Sequence, residues 1–274
     1  MKTLVIGAQG FLGRHFLQAY RATDPTIIGT SRKELDLASP NLDALDLTGY
    51  THALIAAAVT SIARCEKEKE ATYQCNVTGT LELIRQLHQK NIVPIAFSSD
   101  YVFDGIAGDY TEDSPIHPLN EYGRQKAQLE KGIREICGGN YLLIRLSKVF
   151  GFGDSTLLEE MAHKLRNKEP IRVAHDQIFC PIYISDVVEG VLRLQKMGCR
   201  GIFHICGQPM SRLNLAQAIA QKIIADPKLV QSISLDDLKE PFMRPKNTSM
   251  VCNKFHSITG NMVRSLSSCI DQIA

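Results

Sequence analysis

The sequence predicts an α/β protein, a Rossmann-type doubly wound parallel sheet with a smaller C-terminal α/β substrate-binding domain. Three observations carry this prediction. Short apolar runs alternate with helix-period patterns through residues 1–150, a glycine-rich turn closes the first run, and the rhythm loosens after Gly151.

Leu4-Val5-Ile6 reads as a short buried strand, and residues 11–20 as a helix with Phe11, Leu12, Phe16, Leu17 and Tyr20 on one face. Residues 26–30 and 54–58 give two further strands. Residues 70–89 show helical periodicity, with Leu81, Ile84, Leu87 and His88 on one side. A strand at 93–98, a helix at 122–137 and a strand at 141–146 complete the first region. Apolar strands separated by helices belong to a parallel sheet covered on both faces. The cofactor domain is therefore placed at residues 1–150 and a mainly substrate-binding domain at 151–274, with a segment near 174–205 returning to the first. In the tail we read helices at 157–167, 185–195, 214–224 and 263–273, strands at 171–173 and 201–206, and loop from 226 to 254.

The chain has 274 residues, 44% of them hydrophobic and 22% charged, enough for a large core. No apolar run reaches the length a membrane helix needs, and the N-terminal apolar stretch is too short for a signal peptide. A cytoplasmic protein with no membrane association is expected. A net charge of +2 gives no argument for nucleic acid. The eight cysteines form no CxxC pair and the eight histidines no HxxxH, so reduced thiols and no metal are expected.

Gly7-Ala8-Gln9-Gly10-Phe11-Leu12-Gly13 stands where the first strand becomes the first helix. Glycines there allow a sharp turn, the approach of a pyrophosphate to the backbone, and close packing of helix on strand. The amides of Gly10, Phe11, Leu12 and Gly13 would then hold the phosphates at the helix N-terminus. The second strand ends in Thr30-Ser31-Arg32-Lys33, with no acid before Glu34. An acid at that point takes a ribose 2′-hydroxyl, whereas Arg and hydroxyls suit a 2′-phosphate. Ser31 and Arg32 therefore predict NADP(H), with NAD(H) a weaker alternative.

Tyr122 and Lys126 stand at i and i+4 of a predicted helix, one turn apart on one face. A phenol acting as proton donor near neutrality benefits from an adjacent cation. Such a pair also arises by chance, so its context matters. Upstream lies Ser98-Ser99-Asp100-Tyr101-Val102-Phe103-Asp104-Gly105, and the tyrosine sits within Pro118-Leu119-Asn120-Glu121-Tyr122-Gly123-Arg124-Gln125-Lys126. With the GxxGxxG turn, these segments resemble the dTDP-4-dehydrorhamnose reductase branch of the extended short-chain dehydrogenase/reductases. Further similarity runs through residues 34–37, 56–60, 76–80 and 144–147 and Arg244-Pro245.

The resemblance implies an NADPH-dependent reductase of a keto group on a nucleotide-linked sugar, in cell-envelope polysaccharide synthesis. It implies Ser99, Tyr122 and Lys126 as catalytic residues, with Ser99 on the substrate carbonyl, Tyr122 as proton donor and Lys126 on the nicotinamide ribose. Asp36 and Leu37 would border the adenine. Ala58, Val59 and Thr60 would line the middle of the cofactor, with Phe97 backbone beside it. Ser99, Asp100 and Arg244 would face the substrate. Asn76 matches a helix asparagine that supports the lysine through water; a buried asparagine bonding backbone is the alternative.

Two departures fall on the substrate side. The family pattern R-T-S-W-V-Y-G reads Arg145-Leu146-Ser147-Lys148-Val149-Phe150-Gly151 in a chain without tryptophan, and S-P-T-Y reads Cys180-Pro181-Ile182-Tyr183. Lys148, in place of a pocket aromatic, is expected either to reach solvent or to meet an anionic substrate group. Two rivals to the reductase are a non-catalytic NADP-binding subunit like that of methionine adenosyltransferase and a nucleotide-sugar epimerase. A homodimer is left open.

Overall fold

The computed structural model describes residues 1–151, 156–260 and 263–271. The first elements are β1 (Lys2–Ile6), α1 (Phe11–Arg21), β2 (Gly29–Thr30), β3 (Tyr50–Ile55), α2 (Ile62–Lys67), α3 (Lys69–Tyr73), α4 (Thr80–Gln89), β4 (Val93–Ser99), α5 (Glu121–Cys137) and β5 (Leu142–Leu146). They are followed by β6 (Val149–Phe150), α6 (Leu157–Arg166), β7 (Ile171–Ala174), β8 (Ile178–Phe179), β9 (Ile182–Tyr183) and α7 (Ile184–Lys196). The chain ends with β10 (Gly201–Ile205), β11 (Met210–Ser211), α8 (Arg212–Lys222), β12 (Val230–Ile233), α9 (Asn253–Thr259) and α10 (Leu266–Ile270).

Six strands form one sheet in the order β10-β5-β4-β3-β1-β2. The pairings of β1 with β2, β1 with β3 and β3 with β4 are parallel, with Leu4 opposite Ala53 and Ile6 opposite both Thr30 and Ile55. All seven residues of β4 are buried, as a strand covered on both faces requires. The strand order reverses between β1 and β3. Ligands of open α/β sheets bind outside the carboxyl ends of the strands at such a point.

The chain divides into two units. The first comprises residues 1–102, 118–145 and 191–203, and the second 103–117, 146–190 and 204–274. The unit boundaries differ from the sequence reading, because residues 103–117 join the second unit and the returning segment is 191–203. That segment is bound within the first unit by Gln195, whose Nε2 donates to Thr3 Oγ1 at 2.8 Å while Tyr20 Oη donates to its Oε1 at 2.6 Å. The first core gathers Leu4, Ile6, Ile55, Leu83, Ile84, Leu129 and Ile133, and the second Phe150, Leu158, Leu165, Leu215 and Ile219.

Several elements differ from the sequence reading. The helix expected over 70–89 is interrupted by a π-helical turn at Gln74–Gly79, and α2 precedes it. β3 begins at Tyr50 and β2 spans only two residues. β12 runs parallel to β7 inside the expected loop; its sequence Val-Gln-Ser-Ile is half polar and stays partly exposed, so no apolar run marked it. The short α9 has no side-chain N-cap to announce it. The last helix is shorter than 263–273, and residues 272–274 lie outside the described ones. Among the described residues no helix is long and apolar enough to cross a membrane.

Candidate active site

The glycine turn lies at the carboxyl end of β1, at the strand-order reversal. Gly7 has φ +81°, and a Cβ there would lie 2.7 Å from the Ala57 nitrogen and Cβ, so the turns after β1 and β3 meet only because the side chain is absent. A Cβ on Gly13 would run into the Gly7 carbonyl. Gly10, exposed at the N-cap of α1, supplies no side-chain cap to the first-turn amides of Phe11, Leu12 and Gly13. A helix start with uncapped amides behind a tight glycine turn fits a pyrophosphate.

The loop after β2 is more occupied than its sequence suggested. The Ser31 amide donates to Glu34 Oε2 at 2.6 Å, and the Ser31 amide and hydroxyl hold the Glu34 carboxyl below its usual range. Arg32 is largely exposed and leans on Asp36, Nε to Oδ2 3.3 Å. Asp36 also accepts from the Ala38 amide at 3.0 Å, and Leu37 is buried. Ser31, Arg32 and Asp36 are thus brought together, but an acid, Glu34, has joined them.

After β3, Ala58, Val59 and Thr60 follow in a loop fastened at its middle residue. Asn76 Oδ1 accepts from the Val59 amide at 2.8 Å, and Asn76 Nδ2 donates to Val59 O at 2.9 Å. The same nitrogen donates to Gln125 Oε1 at 2.8 Å, next to Lys126. Of the two expectations for Asn76, the buried asparagine bonding backbone matches these contacts.

Asn120 caps α5 by accepting from the Gly123 amide at 2.9 Å, which fixes the start of the helix that carries Tyr122 and Lys126. Ser99 ends β4; its hydroxyl donates to Asp100 Oδ1 at 2.9 Å and accepts from the Tyr101 amide at 3.2 Å. The Ser99 hydroxyl also lies near the Tyr122 phenol. Burial pushes that phenol above its ordinary value, and the nearby Ser99 hydroxyl only partly offsets the rise. Lys126 is 4% exposed, and burial lowers its ammonium to about 8. Its Nζ donates to Phe97 O at 2.9 Å and lies 5.8 Å from the Tyr122 ring centroid. Burial is the largest influence on the phenol, so Tyr122 stays protonated at neutral pH in place of the lowered value that an adjacent cation alone would give.

Lys148 and Arg244 belong to the second unit. Lys148 is exposed, and its carbonyl accepts from the Ile182 amide at 3.0 Å. Arg244 is held by both oxygens of Glu240 and lies 5.2 Å from the Phe242 ring. It lines a cavity of about 470 Å³ with Lys164, Arg172, Arg212, Glu160 and apolar Leu157, Met161, Val173 and Leu238. Four cations and one acid give this cavity a positive lining. Sequence reasoning named only Arg244 of that set, because the others are scattered over α6, β7 and α8. It also gave no role to Ser98, Glu130 and Arg145, which form a buried polar group next in the chain to Ser99 and one helical turn from Lys126. An acid four residues after Lys126, on a buried helix face, was the available signal.

The whole chain, residues 1–274, matches the RmlD substrate binding domain family. A dTDP-4-dehydrorhamnose reductase of Aggregatibacter actinomycetemcomitans is 28% identical over 94% of this chain and 93% of its own. Spore coat polysaccharide biosynthesis protein SpsK of Bacillus subtilis is 31% identical over 74% of this chain and 72% of its own. A crystal structure of a dTDP-4-dehydrorhamnose reductase from Clostridium acetobutylicum superposes with a TM-score of 0.88 at 25% identity, covering 100% of this chain and 99% of that one.

Proposed function

Because the chain belongs to the RmlD substrate binding domain family, we propose that it reduces a keto group on a dTDP-linked deoxysugar with NADPH. The observation that carries this reading is the buried Lys126, one helical turn after a protonated Tyr122, with its Nζ on the carbonyl of Phe97 two residues before Ser99. Bound NADPH, its pyrophosphate at the glycine turn and its nicotinamide ribose at Lys126, would supply the hydride. As negative charge develops on the carbonyl oxygen, Ser99 and Tyr122 donate hydrogen bonds to it, and Tyr122 delivers the proton. The buried ammonium of Lys126 then stabilises the tyrosinate left behind. Gly7, Gly10 and Gly13 with the first amides of α1 hold the pyrophosphate. Ser31 and Arg32 favour the 2′-phosphate of NADPH over the bare hydroxyl of NADH, and Asp36 and Leu37 border the adenine. Ala58, Val59, Thr60 and the Phe97 carbonyl flank the middle of the cofactor, and Asp100 supports Ser99 on the substrate side. The cationic cavity has the charge to hold a nucleotide diphosphate.

The test is direct. Purified protein is mixed with a dTDP-4-keto-6-deoxy sugar and NADPH or NADH, and loss of reduced nicotinamide is followed. Turnover with a higher kcat/KM for NADPH is expected. No turnover with either cofactor contradicts the reductase reading, and equal kcat/KM contradicts the cofactor preference alone.

A further inference from the structure

Next to the catalytic residues lies a buried charge that the reaction, as derived above, does not use. Glu130 stands on α5 one turn after Lys126 and is 1% exposed. Arg145 of β5 grips its carboxylate at both oxygens, Nε to Oε1 3.0 Å and Nη2 to Oε2 2.8 Å, and is itself 1% exposed. Ser98 Oγ donates to the same Oε1. Ser98 immediately precedes Ser99, and Lys126 Nζ holds the carbonyl of Phe97. Two successive residues of β4, Phe97 and Ser98, are thus held by two α5 side chains at i and i+4.

A buried ion pair is a poor route to stability, because desolvation consumes most of its attraction and well-packed apolar residues do as well. What charges add is direction. The planar fork of an arginine fixes the plane of a carboxylate, and that carboxylate fixes the rotamer of the hydroxyl it binds. Here the hydroxyl is on the residue that aims Ser99.

We propose that Glu130, oriented by Arg145, is a positioning residue for the reduction: through Ser98 it sets the end of β4 that carries Ser99, and from one helical turn away its charge acts on Lys126. The proposal rests on the reductase reading. Around Lys126, burial opposes the ammonium and the Glu130 carboxylate favours it, the Tyr122 ring stands 5.8 Å away, and the thiols of Cys65 in α2 and Cys75 in the π-helical turn, both pushed up by burial, stay uncharged.

Ser98→Ala tests the first part, since it deletes the hydroxyl while Glu130 remains bidentate to Arg145 and the protein folds. A kcat lower by about tenfold or more is expected, the scale of a small misplacement of a reacting group. NADPH affinity and Tm should stay near those of the parent, and Ser98→Thr, which keeps a hydroxyl, should recover most of the rate. A kcat in Ser98→Ala within about twofold of the parent overturns the proposal. So does a loss of kcat matched by an equal loss of NADPH affinity. The second part is read without turnover, from NADPH binding across pH. Glu130→Gln should lower the alkaline midpoint of binding by roughly one unit, because an ammonium beside a neutral amide loses its proton sooner. An unmoved midpoint overturns it. If the parent oxidises no NADPH with any dTDP-4-keto-6-deoxy sugar, the reductase reading is what has failed, and this binding measurement alone decides the role of Glu130.

Discussion

At Tyr122 two demands conflict. Burial keeps the phenol protonated, which suits a donor, yet the proposed proton transfer would leave a tyrosinate in the same surroundings. The lysine on the next turn resolves the conflict only while it carries its proton. Tyr122→Phe should lower kcat by roughly 10²–10⁴-fold, the usual worth of a positioned acid, with NADPH affinity nearly intact by fluorescence titration. Since the Lys126 ammonium titrates near 8, kcat should fall as pH rises through that value. Lys126→Arg should remove that alkaline limb from whatever activity survives. At the rim of the cofactor site, Arg32→Asp should lower kcat/KM for NADPH relative to NADH by about tenfold or more, the loss of one charge-assisted bond. A preference that does not move would mean that Arg32 stays with Asp36 and never meets the 2′-phosphate. Lys148→Trp should raise KM for the natural substrate by about tenfold if Lys148 meets an anionic group. An unchanged KM returns it to solvent.

Single elements show where the sequence could be read and where it could not. The glycine turn, the segment through Ser99 and the Tyr122–Lys126 pair were legible because each is constrained within a few residues: a turn that excludes Cβ, a strand end, one helical face. The bond from Asn76 to Gln125, the pairing of Glu130 with Arg145 and the parallel pairing of β12 with β7 were not. Each joins residues brought near only by the fold, and none leaves a periodic trace. His52 on β3 belongs to this second group. It is 5% exposed, its Nε2 has no hydrogen-bond partner among the described residues, and burial brings its pKa down to about 4. In the unfolded chain a histidine takes up its proton near pH 6.5. Between that value and about 4 the unfolded state therefore binds the extra proton, and stability is lost as pH falls through this window. Denaturant titration should show an acid-side decline on the order of 1–3 kcal/mol from this group. His52→Gln should flatten it; an unchanged slope would assign the decline to other residues.

For the molecule as a whole, the two units are interleaved along the chain, each built from three segments. A fragment of residues 1–150 lacks β10 and the Gln195 bonds to Thr3 and Tyr20. We expect that fragment to aggregate or to bind NADPH weakly when compared with the full chain by size-exclusion chromatography and fluorescence. A folded fragment with full affinity would show residues 191–203 to be dispensable.

The sheet order also bears on how the chain is made. β10 pairs beside β5, but roughly 60 residues separate the end of one from the end of the other. At the pace of about 5–20 residues per second at which ribosomes work, β5 emerges several seconds, roughly 3–12, before its outer neighbour exists. During that interval a buried strand, apolar but for Arg145, presents an open edge, the kind of surface that pairs with other chains. Completion of the sheet therefore waits until three quarters of the chain has been translated, and nascent chains stalled before residue 201 should be the ones that chaperones hold longest.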